Sequence, residues 1–304
     1  MNQYKQAGVD VEKAEAFNQT LASTFKIGLG FAAELDLSRY TNPIISTSAD
    51  GVGTKAVLQH QYGKYEEMGQ DLVAMVFNDI ICTGAKPLAL LDYIAVDTLR
   101  TEELNTFIKG VATSCAYCAA KLVGGETAEM PTLPANSMEV AGFGIGVREK
   151  KEVFKPVKKG DILVGLPSSG VHANGFSLIR KVFEGADLTE KFEGEPLIDV
   201  LCTPTILYAP IINAIQYMKV DIKGIAHITG GGIYANVKRV VPDPLDIELN
   251  WEWEIPEIFN YIQDRGRITF STMMDTFNLG IGMVVIVNPD FAEFVNGVII
   301  GEVI

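Results

Sequence analysis

The sequence predicts an α+β fold in two domains, with helices covering one face of each sheet. Apolar strand and helix runs alternate along the 304 residues, but without the even βαβ period of a doubly wound sheet. A charged, proline-containing run, Arg148 to Gly160, interrupts that pattern and divides the chain into residues 1–150 and 151–304. With 48% hydrophobic residues, both parts can bury a core.

Each element follows from local pattern. Pro43 to Ala49 reads as a strand that runs into the loop Asp50-Gly51-Val52-Gly53-Thr54-Lys55. Between Tyr65 and Ala85, Met68, Leu72, Met75, Val76 and Ile80 recur at helical spacing, and Gly84 and Pro87 stop the helix. Leu88 to Val96 is a strand, Thr101 to Lys121 a helix, and Leu122-Val123 a short strand. That strand feeds an acidic bend, Gly124-Gly125-Glu126-Thr127-Ala128-Glu129-Met130-Pro131, which two glycines open and a proline closes. Met138 to Val147 is the last strand of the first half. In the second half, strands are expected at Asp161 to Leu166, Gly224 to Ala226, Leu279 to Val287 and Val298 to Val303. Helices are expected from about Asn174 and Pro204, after the triple glycine, and over Pro256 to Gln263.

Charge and composition narrow the function classes. A net charge of −13 argues against nucleic acid and anionic membranes as partners. A small anionic ligand would need local help from lysine, backbone N–H groups or a cation. The polar start, Met1 to Lys5, does not read as a signal peptide, and no apolar run reaches membrane-spanning length. Four cysteines in a chain this long suit a reducing compartment, so a cytoplasmic location is expected.

Several polar, glycine-rich segments could carry chemistry. Asp71 and Asn78 lie seven residues apart, which at about 100° per residue returns them to nearly one helix face, with Asp79 about 80° round. Solvated polar positions would explain them, but their neighbours are almost all apolar. A buried carboxylate calls for a metal, a base or a ligand. In the loop at Asp50, the amides of Gly51 and Gly53 can form an anion nest, Lys55 offers a charge and Asp50 a magnesium ligand. The spacing is not that of a Walker A loop. Magnesium usually takes one or two carboxylates with phosphate oxygens and water, so acids on separate segments, Asp50, Asp71, Asp79 and Glu126, suit ions bridged by a triphosphate. His172 and His227, two of three histidines, fall inside glycine-rich segments and could move a proton near neutral pH. Cys115-x-x-Cys118 is better explained by helix packing than by zinc. Gly28-Leu29-Gly30-Phe31-Ala32-Ala33 matches a dinucleotide pattern too loosely to imply NAD.

In combination and in order, these segments resemble the aminoimidazole ribonucleotide synthetases, also called phosphoribosylformylglycinamidine cyclo-ligases. The residues that carry the likeness are Asp50 to Lys55, Asp71 to Met75 with Asn78-Asp79, and Gly124 to Pro131 in the first half. In the second half they are Ser168-Ser169-Gly170 with His172 and Asn174-Gly175, His227 with Thr229 to Gly232, and Phe277-Asn278 with Gly280 and Gly282-Met283.

The resemblance implies an N-terminal ATP, magnesium and dimerisation domain, whose sheets pair into a barrel across a homodimer. The C-terminal domain would complete the substrate cleft. It implies ATP-dependent closure of formylglycinamidine ribonucleotide to aminoimidazole ribonucleotide, with phosphorylation of the formyl oxygen. On this resemblance Asp50, Asp71, Asp79 and Glu126 hold magnesium. Asp50, Gly51, Gly53, Thr54, Lys55, Gly124, Gly125 and Thr127 face ATP, while His172, Asn174, Thr229, Gly230, Gly231, Gly232 and Asn278 face substrate. Lys55, His172 and His227 are its expected catalytic groups. Two alternatives remain: another ATP-using relative and a non-catalytic nucleotide-binding homologue. Selenophosphate synthetases place a reactive cysteine near the N-terminal glycines, whereas the first here is Cys82. Thiamine-phosphate kinases lack the segment around His227.

Overall fold

The computed structural model describes residues 11–25, 28, 30–151 and 154–304. The polar run Met1 to Lys5, Leu29 of the glycine-rich segment, and Glu152 and Val153 of the dividing run lie outside the described residues. The first half contains β1 (Pro43–Gly51), β2 (Lys86–Val96), β3 (Lys121–Glu129) and β4 (Met138–Glu149), in the order β1-β4-β2-β3. β2 and β3 are parallel, and the other pairs antiparallel. With them are α1 (Val11–Phe25), α2 (Lys55–Gln61), α3 (Tyr65–Ile81) and α4 (Thr101–Tyr117).

α3 packs closely on this sheet because β4 alternates glycine at the contact. A Cβ on Gly144 would come 2.3 Å from a Val76 methyl, and one on Gly146 2.3 Å from Ile80. The opposite face of the sheet is open, with Ile45 and Phe143 exposed.

The second half is a five-stranded antiparallel sheet in the order β8-β10-β5-β11-β9. Its strands are β5 (Ile162–Pro167), β8 (Ile222–His227), β9 (Ile247–Leu249), β10 (Ile281–Val287) and β11 (Val298–Val303), beside a two-stranded ribbon of β6 (Lys191–Phe192) and β7 (Glu195–Pro196). Helices α5 (Phe176–Val182), α6 (Leu197–Cys202), α7 (Ala209–Tyr217), α8 (Gly232–Lys238), α9 (Glu257–Gly266) and α10 (Phe270–Thr276) surround it. Helices on one face describe the first sheet, but the second is covered on both. Val284 and Ile286 of β10 pack with Ile233 and Val237 of α8, whereas Met283 and Val285 join the cluster of Leu72 and Val76 of α3 and Ile212 of α7. Every residue of β10 is therefore buried, as a continuous apolar run requires.

Two elements differ from expectation. The acidic bend is not a bend: Gly124 to Glu129 continue β3 in parallel register, from Leu91↔Gly124 to Val96↔Glu129. Ladder pairing overrides the turn signal of the two glycines, and Gly125 is needed for another reason given below. The helix expected from Pro204 starts only at Ala209, because side chains of α2 and α3 occupy the backbone of residues 203–208. Lys55 Nζ donates to Thr203 O at 2.8 Å, Gln70 to Thr205 O at 3.0 Å and Asn78 to Ile206 O at 2.9 Å. In return, the Thr205 N–H donates to Asp71 Oδ1 at 2.8 Å and the Tyr208 N–H to Asn78 Oδ1 at 3.1 Å. With these backbone groups satisfied, the extended segment need not coil.

Candidate functional site

α3 is the element that organises the site, because its C-terminal end meets β1 and β8 where the two halves touch. The Asp79 carboxylate lies 2.9 Å from Nδ1 of His227, the last residue of β8, while the Nε2 of that ring is buried without a hydrogen-bond partner. The Asp79 side chain is 42% exposed. Asp50, at the end of β1, belongs to the same group: burial, and after it the charge of Asp79, push its carboxyl above the usual range. Asp79 and His227 line a cleft of about 330 Å³ together with Ser48, Cys82, Asn236 and Arg239. Carboxylates crowding one another beside an imidazole with a free nitrogen can bind a cation and move a proton.

The glycine loop after β8 is tied down from within. Asn174 Oδ1 accepts from the Gly230 N–H at 3.0 Å, and Asn236 Nδ2 donates to the carbonyls of Thr229, Gly230 and Gly232. Gly231 and Gly232 both have positive φ, and a Cβ on Gly232 would sit 1.7 Å from Met274 O. At the other loop, the Gly51 N–H donates to Asp50 Oδ1 at 2.8 Å, and Gly53 has φ +63° with open space around its Cα. Thr54 reaches Ser177 through its hydroxyl at 3.2 Å.

Four expected site residues are placed elsewhere. Lys55 and Asp71 form a fully buried ion pair of 2.8 Å. Asp71 also accepts from Gln59 at 2.7 Å and from the hydroxyl and N–H of Thr205 at 2.6 and 2.8 Å. Both oxygens are taken by protein, so Asp71 has the base expected for a buried carboxylate, and Lys55 is its counter-charge. His172 is buried against Tyr208, and its Nε2 accepts from the Ser169 N–H at 3.2 Å. Burial, with the charges of His227 and Lys55, holds its pKa well below the usual histidine range, and its Nδ1 is buried without a hydrogen-bond partner. Asn278 is also buried: its Oδ1 accepts from Ser168 Oγ and the Gly280 N–H, and its Nδ2 donates to Gly170 O. It braces two loops.

Glu126 lies apart from the other acids. It pairs with Tyr93 in the register of β3 and β2, on the opposite edge of the sheet from Asp50. Three strand spacings separate β1 from β3, about 14 Å. Among the described residues no cluster of three or more His, Cys, Asp or Glu side chains could hold a metal. Cys115 and Cys118 are buried free thiols in the core around α4. Beside the β3 edge is a second cavity, of about 540 Å³, lined by Gly124, Gly125, Glu126 and Thr127 with Gly28 and Gly30. It thus joins the expected ATP-facing residues of β3 to the N-terminal glycine segment. Asp92 also lines it, a residue that an acid in the middle of an apolar strand could have signalled.

Comparison with known proteins places this geometry. Residues 35–147 match the family described as AIR synthase related protein, N-terminal domain, and residues 158–298 the corresponding C-terminal domain. The chain belongs to the AIR synthase related family. Among curated members, the phosphoribosylformylglycinamidine cyclo-ligase of Thermoanaerobacter pseudethanolicus is 42% identical over 99% of this chain and 97% of that protein. The protein of the same name from Carboxydothermus hydrogenoformans is 43% identical over 93% and 88%. Solved structures share the family fold at low identity. The E. coli hydrogenase maturation protein HypE has a TM-score of 0.68 at 17% identity, covering 96% of this chain and 91% of its own. T. maritima PurL, solved with AMPPCP, has a TM-score of 0.56 at 15% identity, covering 86% of this chain and 40% of its own.

Proposed function

We propose that the chain is a phosphoribosylformylglycinamidine cyclo-ligase, which uses ATP to close formylglycinamidine ribonucleotide into aminoimidazole ribonucleotide in purine biosynthesis. The observation that carries this reading is 42% identity, over nearly the whole of both chains, to a relative of that name. The geometry supports it. When the ring-closing nitrogen attacks the activated formyl carbon it must lose a proton, and His227 Nε2 is the buried, unpartnered acceptor beside the cleft. With Nδ1–H donated to Asp79, the ring keeps the tautomer in which Nε2 carries the lone pair. Asn236, which lines the same cleft, and Asn174 hold Thr229 and the three glycines that follow His227, where they would bound the substrate. Gly51, Gly53 and Thr54 would present their backbone to phosphate.

The donor set suits magnesium. Asp50 and Asp79 are the pair that would hold it, since a cation would offset the burial and, after it, the Asp79 charge that raise Asp50. Such an ion would neutralise phosphate charge during phosphoryl transfer.

Homodimer formation fits the open face of the first sheet, where Ile45 and Phe143 are exposed. Pairing two such sheets would also bring the β3 edge of one protomer to the β1 edge of another, which one chain cannot do. The four free cysteines fit work in the cytoplasm.

Incubating the purified protein with ATP, magnesium and formylglycinamidine ribonucleotide should yield aminoimidazole ribonucleotide and equimolar phosphate. ATP binding without any cyclised product would refute the reading.

A further inference from the structure

Asp92 is a buried carboxyl that neither the fold nor the proposed chemistry uses. It sits in the middle of β2 between Leu91 and Tyr93, is 7% exposed, and its Oδ2 has no hydrogen-bond partner. Leaving a buried carboxyl unpaired is costly, and such a group in a native protein calls for a partner. The backbone makes room for it: a Cβ on Gly125, opposite Asp92 in the register of β2 and β3, would lie 1.6 Å from Asp92 Oδ1. Glycine at 125 is therefore what lets the carboxyl lie against β3 at the edge of the 540 Å³ cavity.

The rest of that cavity states what could supply the partner. Glu126 lines it with Asp92, which disfavours phosphate there, and among the described residues no lysine or arginine lines it. Its other walls include Leu91, Ile108, Leu122 and Phe143, an apolar surround suited to a flat heterocycle. We propose that Asp92 reads the base of the bound nucleotide, its carboxyl pairing with the ring-nitrogen and exocyclic-amine edge of adenine. This rests on the ATP-binding part of the reading above and not on the cyclisation step.

A protonated carboxyl offers one donor beside one acceptor, the complement of that edge of adenine. Guanine offers two N–H donors there, which suit an ionised carboxylate. Burial pushes the Asp92 carboxyl up to about 7, so the protonated form is well populated at neutral pH. Among the described residues the titratable groups near it are the Cys115 thiol of α4, which burial keeps protonated, Glu126 of β3 and the neighbouring Tyr93 of β2.

Equilibrium dialysis of the full chain with ATP and with GTP, without the second substrate, tests this. The parent protein should prefer ATP and lose affinity for it between pH 6 and pH 8. Asp92→Leu should weaken ATP binding about tenfold, the scale of a lost buried hydrogen-bond pair. Asp92→Asn, whose amide also sets a donor beside an acceptor, should stay within about threefold of the parent and lose the pH dependence. ATP affinity unchanged in Asp92→Leu would overturn the assignment. So would equal losses in the Asn and Leu variants, which would indicate a bound cation. Should Asp92→Leu fail to fold, the pH profiles of the parent and Asp92→Asn decide: parallel slopes overturn the proposal. A parent that binds ATP but forms no cyclised product refutes the proposed function and leaves this inference standing.

Discussion

Asp79 and His227, 148 residues apart in sequence, are joined across the two halves of the chain by a 2.9 Å contact between Oδ1 and Nδ1. One residue is on α3 and the other ends β8, so the pair exists only when both sheets are in place. If it works as a unit, Asp79→Asn and His227→Ala should each lower turnover about a hundredfold, the scale of a lost acid–base group. The double variant should be little worse than either single one. Steady-state rates of all three check this, and losses that multiply in the double variant would dissolve the unit.

The Lys55–Asp71 pair should prove structural. Removing one partner leaves a fully buried charge uncompensated, at a cost of about 3 to 5 kcal/mol. Asp71→Asn and Lys55→Met should each lower the urea midpoint strongly, and joint replacement by Met and Leu should recover much of the loss. A parental midpoint in Asp71→Asn, with magnesium-dependent turnover lost, would return Asp71 to the metal site.

Asp92 should leave a mark on stability as well as on binding. Its folded pKa of about 7 lies above the ordinary value of 3.8, so between those values the native state holds the extra proton. Its contribution is present at low pH and disappears as pH rises through 7, at no more than about 1.4 kcal/mol per pH unit. Relative to the parent, Asp92→Asn should therefore gain melting temperature from pH 5 to pH 8. A constant difference across that range would mean the carboxyl is ionised throughout.

Glycine replacements should separate space from backbone conformation. Gly232→Ala drives a Cβ to 1.7 Å from Met274 O and also requires φ +69°, so the loop must move. Gly53→Ala meets nothing within 4 Å and bears only the positive-φ cost, about 1 to 2 kcal/mol. Thermal melting should show a much larger loss for Gly232→Ala. Equal losses would show that the loop adapts freely.

Much of this was legible in the sequence because it is local or periodic. Met68, Leu72, Met75, Val76 and Ile80 mark the face of α3, and Asp50, Asp79 and His227 stand out as polar residues beside apolar runs. What was not legible depends on partners distant in sequence. A lysine after a glycine loop has the pattern of a phosphate lysine, whereas Lys55 is held by Asp71 and Thr203 O, which lie 16 and 148 residues away. His172 and Asn278 carry the same polar atoms whether they face substrate or brace loops. Gly124-Gly125 looked like a turn, although the second glycine serves the carboxyl of Asp92. Conversely, Asp92 inside the strand Leu88 to Val96 carries only a weak signal of its own, since a half-buried strand commonly holds one acid.

The extended segment 203–208 has a consequence for fragments of this protein. Three of its carbonyls and two of its N–H groups are satisfied by Lys55, Gln70, Asp71 and Asn78, all supplied by the first half. Expressed alone, the second half would present those groups unmet, and the first half would keep the Lys55–Asp71 pair and Asn78 without their partners in that segment. The halves are separate as sheets and inseparable as folding units. One melting transition is expected for the intact chain, and neither fragment should recover its native structure until the other is added.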